Sequence, residues 1–364
     1  MNDIDHDLRE MFRRHQADLT GSIVAPPSLT GRVRRRQVFT VLTAAITGAA
    51  VIAGAAIGLA SIDRADPMVP AVPTIPTHHN GEIFVHIAEG EGRTIIQIDP
   101  STGREVEPPI ASPRGTDLAW SPDGMSLAYV LDGMRVLDVS SGESREIMPC
   151  GKFTHQCTFA WSPDGSTIAV AQDARIELVS ADGSSSTSLT PPGLDVGSDE
   201  ILRDPTWSPD GSRIAFVAPG YGPEEPDRLY VVDPSGSGLQ LLVEEPPGYR
   251  IGVLTPAWSP DGSKIAYVAS GEWSNDTWRL NVTVIDADGS NPTELLQAGR
   301  CFCLAFMPGL AWSPDGTQLA VVIPAPGRGK GPAGDGLYVM DADGSGLRLL
   351  REGVWGRPAW RPVP

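Results

Sequence analysis

Arg114, His155 beside Lys152, Arg203, Arg250, Arg300 and Arg357 stand in six successive segments, each a few residues ahead of a tryptophan. The chain carries a formal net charge of -17. Cations gathered at one mouth of such a protein would draw a small anionic ligand or a carboxylate-bearing peptide, which guanidinium groups grip with paired hydrogen bonds. Their offsets from the tryptophan run from three to twelve residues, which leaves their convergence open. Tyr221, Tyr249, Trp273 and Trp355 lie in the long segments outside any repeated motif. Aromatic residues in such places anchor protein partners or cover a cavity mouth. Asp117, His155 and Asp204 are the groups that a hydrolase or lyase at that mouth would use. Against catalysis, there is no Gly-x-Ser-x-Gly elbow, no histidine cluster at metal-ligand spacing and no glycine-rich phosphate loop. No catalytic residue, cofactor or metal is assigned, and binding is the leading expectation.

A repeat supplies the scaffold for these positions. Trp-Ser-Pro-Asp-Gly occurs at Trp120, Trp161, Trp207, Trp258 and Trp312, with a truncated copy at Trp360, at intervals of 41, 46, 51, 54 and 48 residues. A motif recurring at that period marks the blades of a β-propeller. Pro presets φ in the turn and Gly supplies a positive φ, so Ser-Pro-Asp-Gly reads as a tight hairpin between two strands. Short apolar runs follow each turn, at 127–130, 168–170, 214–217, 265–268 and 319–322. They are rich in β-branched and aromatic residues and read as strands buried on both faces. Third and fourth strands, such as 229–233 and 239–243, complete four-stranded blades. The run from Asp341 to Gly346, with Glu352 behind it, looks superficially like a calcium loop. It returns into a strand pattern and reads as a hairpin turn. Ahead of the first tryptophan lie three strands, near 82–87, 94–99 and 104–107, and the chain ends on an isolated inner strand at 357–361. These ends predict six blades, with the C-terminal strand closing the ring.

The Trp-Ser-Pro-Asp-Gly, Ile-Ala-Tyr-Val and Val-Met-Asp-Ala-Asp-Gly-Ser-Gly series resembles the WD-related repeat of TolB-like six-bladed propellers, over about residues 82–364. The resemblance implies an all-β fold. For function it implies only a range, from envelope scaffold proteins to the propeller domains of serine peptidases. Tol-Pal members of that family carry a separate N-terminal α/β domain, and residues 1–80 depart from that pattern.

Residues 37–62 carry no charge and follow Arg32, Arg34, Arg35 and Arg36. At 1.5 Å per residue this stretch spans a bilayer, and the arginines place residues 1–36 in the cytoplasm and the propeller outside. A cleaved signal peptide is the competing reading; the length of the apolar stretch favours a retained transmembrane helix. Gly54 and Gly58, with Ala50, form a small-residue face on which two anchors could pack as a dimer, although a merely Ala/Gly-rich composition is the favoured reading. Residues 3–19 have the apolar spacing of a short amphipathic helix, which keeps a transmembrane sensor in view. Pro67, Pro70, Pro73 and Pro76 form a polyproline-type linker over residues 63–80, which would hold the propeller about 40 Å from the membrane. The propeller is residues 81–364.

Residues 81–364 contain 38 Asp and Glu against 20 Lys and Arg. So acidic a surface repels nucleic acid and anionic lipid. Cys150 and Cys157 bracket a short loop on the side of the membrane where disulfides persist, and they are expected to pair. The state of Cys301 and Cys303 is left open by their spacing. The tight turns all fall on one face of the propeller, and the long segments 191–203, 218–228, 244–255, 270–277, 297–309 and 324–335 on the other, where loop-borne function concentrates.

Overall fold

The computed structural model describes residues 79–363 except 90–91, 107–109, 113–116, 131–132, 151–156, 173, 190, 195–201, 219, 221–226, 245–252, 275–276, 302–307 and 324–335. The described residues form twenty-four strands in six four-stranded antiparallel sheets. The first sheet joins β1 (His79–Glu89), β2 (Gly92–Ile98) and β3 (Ile110–Ser112) to β24 (Val354–Val363). The second is β4 to β7: Leu118–Trp120, Ser126–Val130, Met134–Asp138 and Ser144–Met148. The third is β8 to β11: Thr158–Trp161, Thr167–Gln172, Arg175–Ser180 and Ser186–Leu189. The fourth is β12 to β15: Arg203–Trp207, Ile214–Ala218, Arg228–Val232 and Gln240–Glu244. The fifth is β16 to β19: Val253–Trp258, Lys264–Ser274, Thr277–Asp286 and Thr293–Cys301. The sixth is β20 to β23: Gly309–Trp312, Gln318–Ile323, Gly336–Asp341 and Arg348–Glu352.

Blades cohere because their middle strands are apolar on both faces. Ile214–Ala218 is buried at every residue, and the alanine of each Ile-Ala-Tyr-Val-type run (Ala128, Ala169, Ala215, Ala266, Ala320) is fully buried. Six apolar clusters result, each between two neighbouring blades. One joins β21 and β22 to β1, β2 and β24 through Val322, Leu337, Ile83 and Trp360.

The turns repeat in atomic detail. In the fifth blade the Gly262 N–H donates to the Ser259 carbonyl at 2.8 Å, with φ of 72° at Gly262. Ser259 Oγ donates to Asp261 Oδ1 at 2.6 Å and accepts the Lys264 N–H at 2.9 Å. Such a side-chain clamp satisfies the backbone groups that a tight reversal exposes. The first blade has no covalent turn between its inner strands. There β24 pairs antiparallel with β1, Ile83 opposite Trp360 and Phe84 opposite Ala359, and Trp360 Nε1 donates to the Gly81 carbonyl at 3.0 Å.

Two expectations are corrected. The third strand of the first blade is Ile110–Ser112, whereas Glu105 forms only an isolated bridge to Ile98. The segments 270–277 and 297–301 are not loops: β17, β18 and β19 run on as a long antiparallel ribbon, so Trp273 and Arg300 stand on strands. Trp355 likewise belongs to β24, opposite His86. The predicted anchor, linker and N-terminal helix lie outside the described residues, among which no helix is long and apolar enough to cross a membrane.

Candidate functional site

Three residues ahead of each blade tryptophan, at or near the start of the inner strand, the chain stands toward the face that carries the blade connectors. The residues there are Asp117, Thr158, Asp204, Thr255, Gly309 and Arg357. Arg357 comes from the first blade, Asp117 from the second and Asp204 from the fourth, which lies opposite the first in a ring of six. Arg357 Nη2 donates to Asp204 Oδ1, and its Nε lies 3.5 Å from Asp117 Oδ1. The guanidinium therefore ties together three blades across the connector end of the channel.

Asp204 is the hub of this network. Its backbone is left-handed, with φ of 60°, in a stretch where the register of β12 on β13 shifts between Arg203 and Thr206. A bulge of this kind re-aims a side chain out of the strand alternation. The Asp204 N–H donates to Thr158 Oγ1 at 2.8 Å, and Oδ2 accepts the Thr255 N–H at 2.9 Å. Thr255 repeats the device one blade on, with φ of 47° beside a register shift between Leu254 and Ala257. A β-branched residue held there stores roughly 1–3 kcal/mol of strain, the kind of cost that clusters at ligand-contacting positions. Thr255 is 3 % exposed, and its Oγ1 meets no partner among the described residues.

Arg203 continues the network outward. Its Nη2 donates to Asp227 Oδ2, while Asp227 Oδ1 accepts the Gly220 N–H at 2.9 Å and Arg203 Nε is buried without a partner among the described residues. Three carboxylates thus face two guanidiniums. Burial pushes the Asp117 carboxyl above its ordinary range, and the nearby Arg357 charge opposes that rise only in part. Burial lowers the Arg357 pKa, Asp117 raises it and the neighbouring charge of Arg203 lowers it further. Both guanidiniums are engaged by carboxylates, so neither stands as an open anion receptor.

Of the six basic positions the sequence singles out, Arg203 and Arg357 lie in this network. Arg114, His155 and Arg250 lie outside the described residues, and only the backbone of Arg300 is described, on β19. Tyr221 and Tyr249 are also outside them, and for Trp273 and Trp355 only the backbone is described. Asp117 and Asp204 are brought together, on Arg357. Cys150 and Cys157 are joined by a disulfide, with 5.8 Å between their Cα atoms. Sequence reasoning missed Thr158 and Thr255, although the fixed offset of three residues from each tryptophan identifies both.

Leu118 and Pro358 border an apolar chamber of ≈ 390 Å³ whose lining reaches the prolines of the turn face. Its wall carries one proline from every blade: Pro122, Pro163, Pro209, Pro260, Pro314 and Pro362. The glycine of each turn packs on the proline of the preceding one, at 3.6 Å from the Gly262 Cβ position to Pro209 Cδ and 3.4 Å from Gly316 to Pro260 Cδ. The two ends of one channel are therefore chemically distinct.

No family model matches the chain. Over 189 residues, 49% of this chain, it is 31% identical to the Tol-Pal system protein TolB of Anaeromyxobacter dehalogenans strain 2CP-C. The chain covers 35% of that relative, about a third of its length. A stretch of 67 residues is 37% identical to the uncharacterized peptidase YuxL of Bacillus subtilis, 9% of that protein. Among solved structures, one described as TolB from Agrobacterium tumefaciens aligns over 78% of this chain and 99% of its own, with a TM-score of 0.54 at 19% identity. A chain of the nidogen/laminin complex aligns over 77% of this chain and 98% of its own, with a TM-score of 0.52 at 13% identity. At those identities the structural likenesses speak for the fold alone, a β-propeller of TolB-like type.

Proposed function

We propose that this protein is a binding module of the cell envelope, a TolB-like propeller that receives an envelope protein at the connector end of its channel. The observation that carries this reading is the network around Asp204. It unites residues of five blades on one mouth, holds two of them in left-handed backbone and leaves Thr255 Oγ1 and Arg203 Nε without partners among the described residues. Strained backbone of this kind clusters at ligand-contacting positions. Sequence similarity to Tol-Pal system proteins supports an envelope role. Because Arg203 and Arg357 already serve carboxylates, a polypeptide that adds donors and acceptors suits the mouth better than a small anion.

In this reading residues 37–62 anchor the propeller outside the cytoplasm and residues 63–80 form its stalk. Tyr221, Tyr249, Trp273 and Trp355 flank the receiving mouth, and pairing of β24 with β1 closes the ring. Crosslinking of the intact protein in its native membrane, followed by pull-down and mass spectrometry, tests the reading. A specific envelope protein recovered with the wild type and lost when Tyr249, Trp273 and Trp355 are changed to Ala supports it. Recovery of the same protein by both forms moves the site elsewhere, and recovery of no specific protein sinks the proposal. Reporter fusions placed after residue 36 and after residue 80 test the anchor, which requires opposite sides of the membrane.

A further inference from the structure

The turn end of the channel has features of its own. The chamber of ≈ 390 Å³ falls within the range of about 300–1,000 Å³ typical of ligand-holding pockets. Its wall is proline, alanine, leucine and tryptophan, with Ser313 as its hydroxyl-bearing residue. One residue beyond each lining proline stands an exposed carboxylate: Asp123, Asp164, Asp210, Asp261 and Asp315. The turns themselves contain no Lys or Arg, and Lys264, the nearest cation of the fifth blade, is paired with Asp286 at 2.8 Å. The Ser162 hydroxyl holds the Asp164 carboxyl below its ordinary range. At Asp210 and Asp261 burial is the largest single effect and acts upward, and the hydrogen bonds from Ser208 and Ser212, and from Ser259 and Ser263, together outweigh it.

Among the described residues the wall offers no hydrogen bond of its own to direct a ligand: Trp312 spends its indole N–H on the Ala257 carbonyl of the neighbouring blade at 3.1 Å, and the Trp258 N–H is buried. What enters is therefore read from shape and charge. The carboxylates ring a narrow apolar bore across several blades, so a single small cation meets few of them. A chain with spaced cations meets many at once.

We propose that the turn end is a second binding site, which takes a Lys- or Arg-rich polypeptide segment with an apolar side chain at its centre. The apolar group fills the proline-lined chamber, and the flanking cations meet the ring of aspartates. This site is separate from the connector mouth and does not depend on the partner proposed there.

The test is fluorescence anisotropy with the full-length protein and three labelled hexapeptides: Lys-Lys-Leu-Leu-Lys-Lys, the same with Glu in place of Lys, and the same with Ser in place of Leu. The first should bind at least roughly tenfold more tightly than either of the others. Asp164→Asn with Asp261→Asn, which keep an Oδ1 acceptor for the turn, should weaken it by roughly two- to fivefold per carboxylate. Ala311 lines the chamber and belongs to none of the interblade clusters. Ala311→Phe should therefore fill the chamber and reduce affinity at least roughly tenfold. Equal binding of the Glu peptide, or of the Ser peptide, overturns the proposal without any variant. Full affinity in a folded Ala311→Phe protein overturns it as well.

Discussion

At the turn end of the channel, five copies of Ser-Pro-Asp-Gly make the same bonds with glycine φ between 67° and 73°, whereas the connector ends of the same strands hold Asp117, Thr158, Asp204, Thr255, Gly309 and Arg357. The turn end has a backbone task in every blade. Reversing the chain within four residues demands a positive φ and a side chain that caps the freed N–H groups, and few residue types meet both needs. The connector end has no such common task, because the incoming segments differ in length and direction. Its residues are held by bonds between blades. Repetition thus marks where local geometry dictates the residue, and divergence marks where tertiary contacts do.

That contrast is open to direct attack. The largest effect is expected from Asp204→Ala, which strips Arg357 of one carboxylate and the Thr255 N–H of its acceptor; breaking a buried pair in this way costs about 3–5 kcal/mol. Denaturant unfolding measures it, and a loss below about 1 kcal/mol would show that the hub is not structural. Gly262→Ala is next. Pro209 at 3.6 Å leaves room for a Cβ, but the φ of 72° strains any residue that carries one, for a cost of roughly 1–2 kcal/mol.

Serine substitution at the turns sharpens the comparison. Ser162→Ala, Ser259→Ala and Ser313→Ala each remove the same two hydrogen bonds and should each cost about 1 kcal/mol, equal within a few tenths. Thr158→Ala and Thr255→Ala should differ from one another, since Thr158 Oγ1 accepts the Asp204 N–H and Thr255 Oγ1 bonds to nothing described. Equal losses at the two threonines would erase the distinction drawn between the ends.

The smallest effect is a pH dependence of opposite sign at the two ends. Asp164, with its pKa lowered chiefly by Ser162, contributes stability that is present above the unfolded value of 3.8 and lost as pH falls through its folded value. Asp117, raised by burial, behaves in reverse: its contribution is fullest at low pH and declines as pH rises from 3.8 through the folded value. Asp117→Asn should therefore gain on the wild type between acid and neutral pH, because Arg357 offsets the burial of the charge only in part. Asp164→Asn should lose its deficit as the solution is acidified. Thermal unfolding from pH 3 to 8 reads both trends.

The sequence alone established the blade count, the inner strands and the tight turns, because Trp-Ser-Pro-Asp-Gly encodes a local conformation whose cause lies within five residues. Periodicity also exposed the two-sided burial of the runs after each turn. It misplaced the third strand of the first blade, where no motif marks Ile110–Ser112, and it took the strand ribbon around Trp273 for a loop, because backbone pairing between Ser270 and Leu280 leaves little trace in residue type. Asp117 and Asp204 were legible as candidates, but their meeting on Arg357 was not. That contact joins residues 153 positions apart, through a guanidinium that reaches from one blade to the blade opposite. Only the ring decides such a distance, since it brings the connector ends of the inner strands to one mouth. The same ring sets six prolines around one chamber, five placed by their own turns and Pro362 by the pairing of β24 with β1, and gathered by the packing of all the blades.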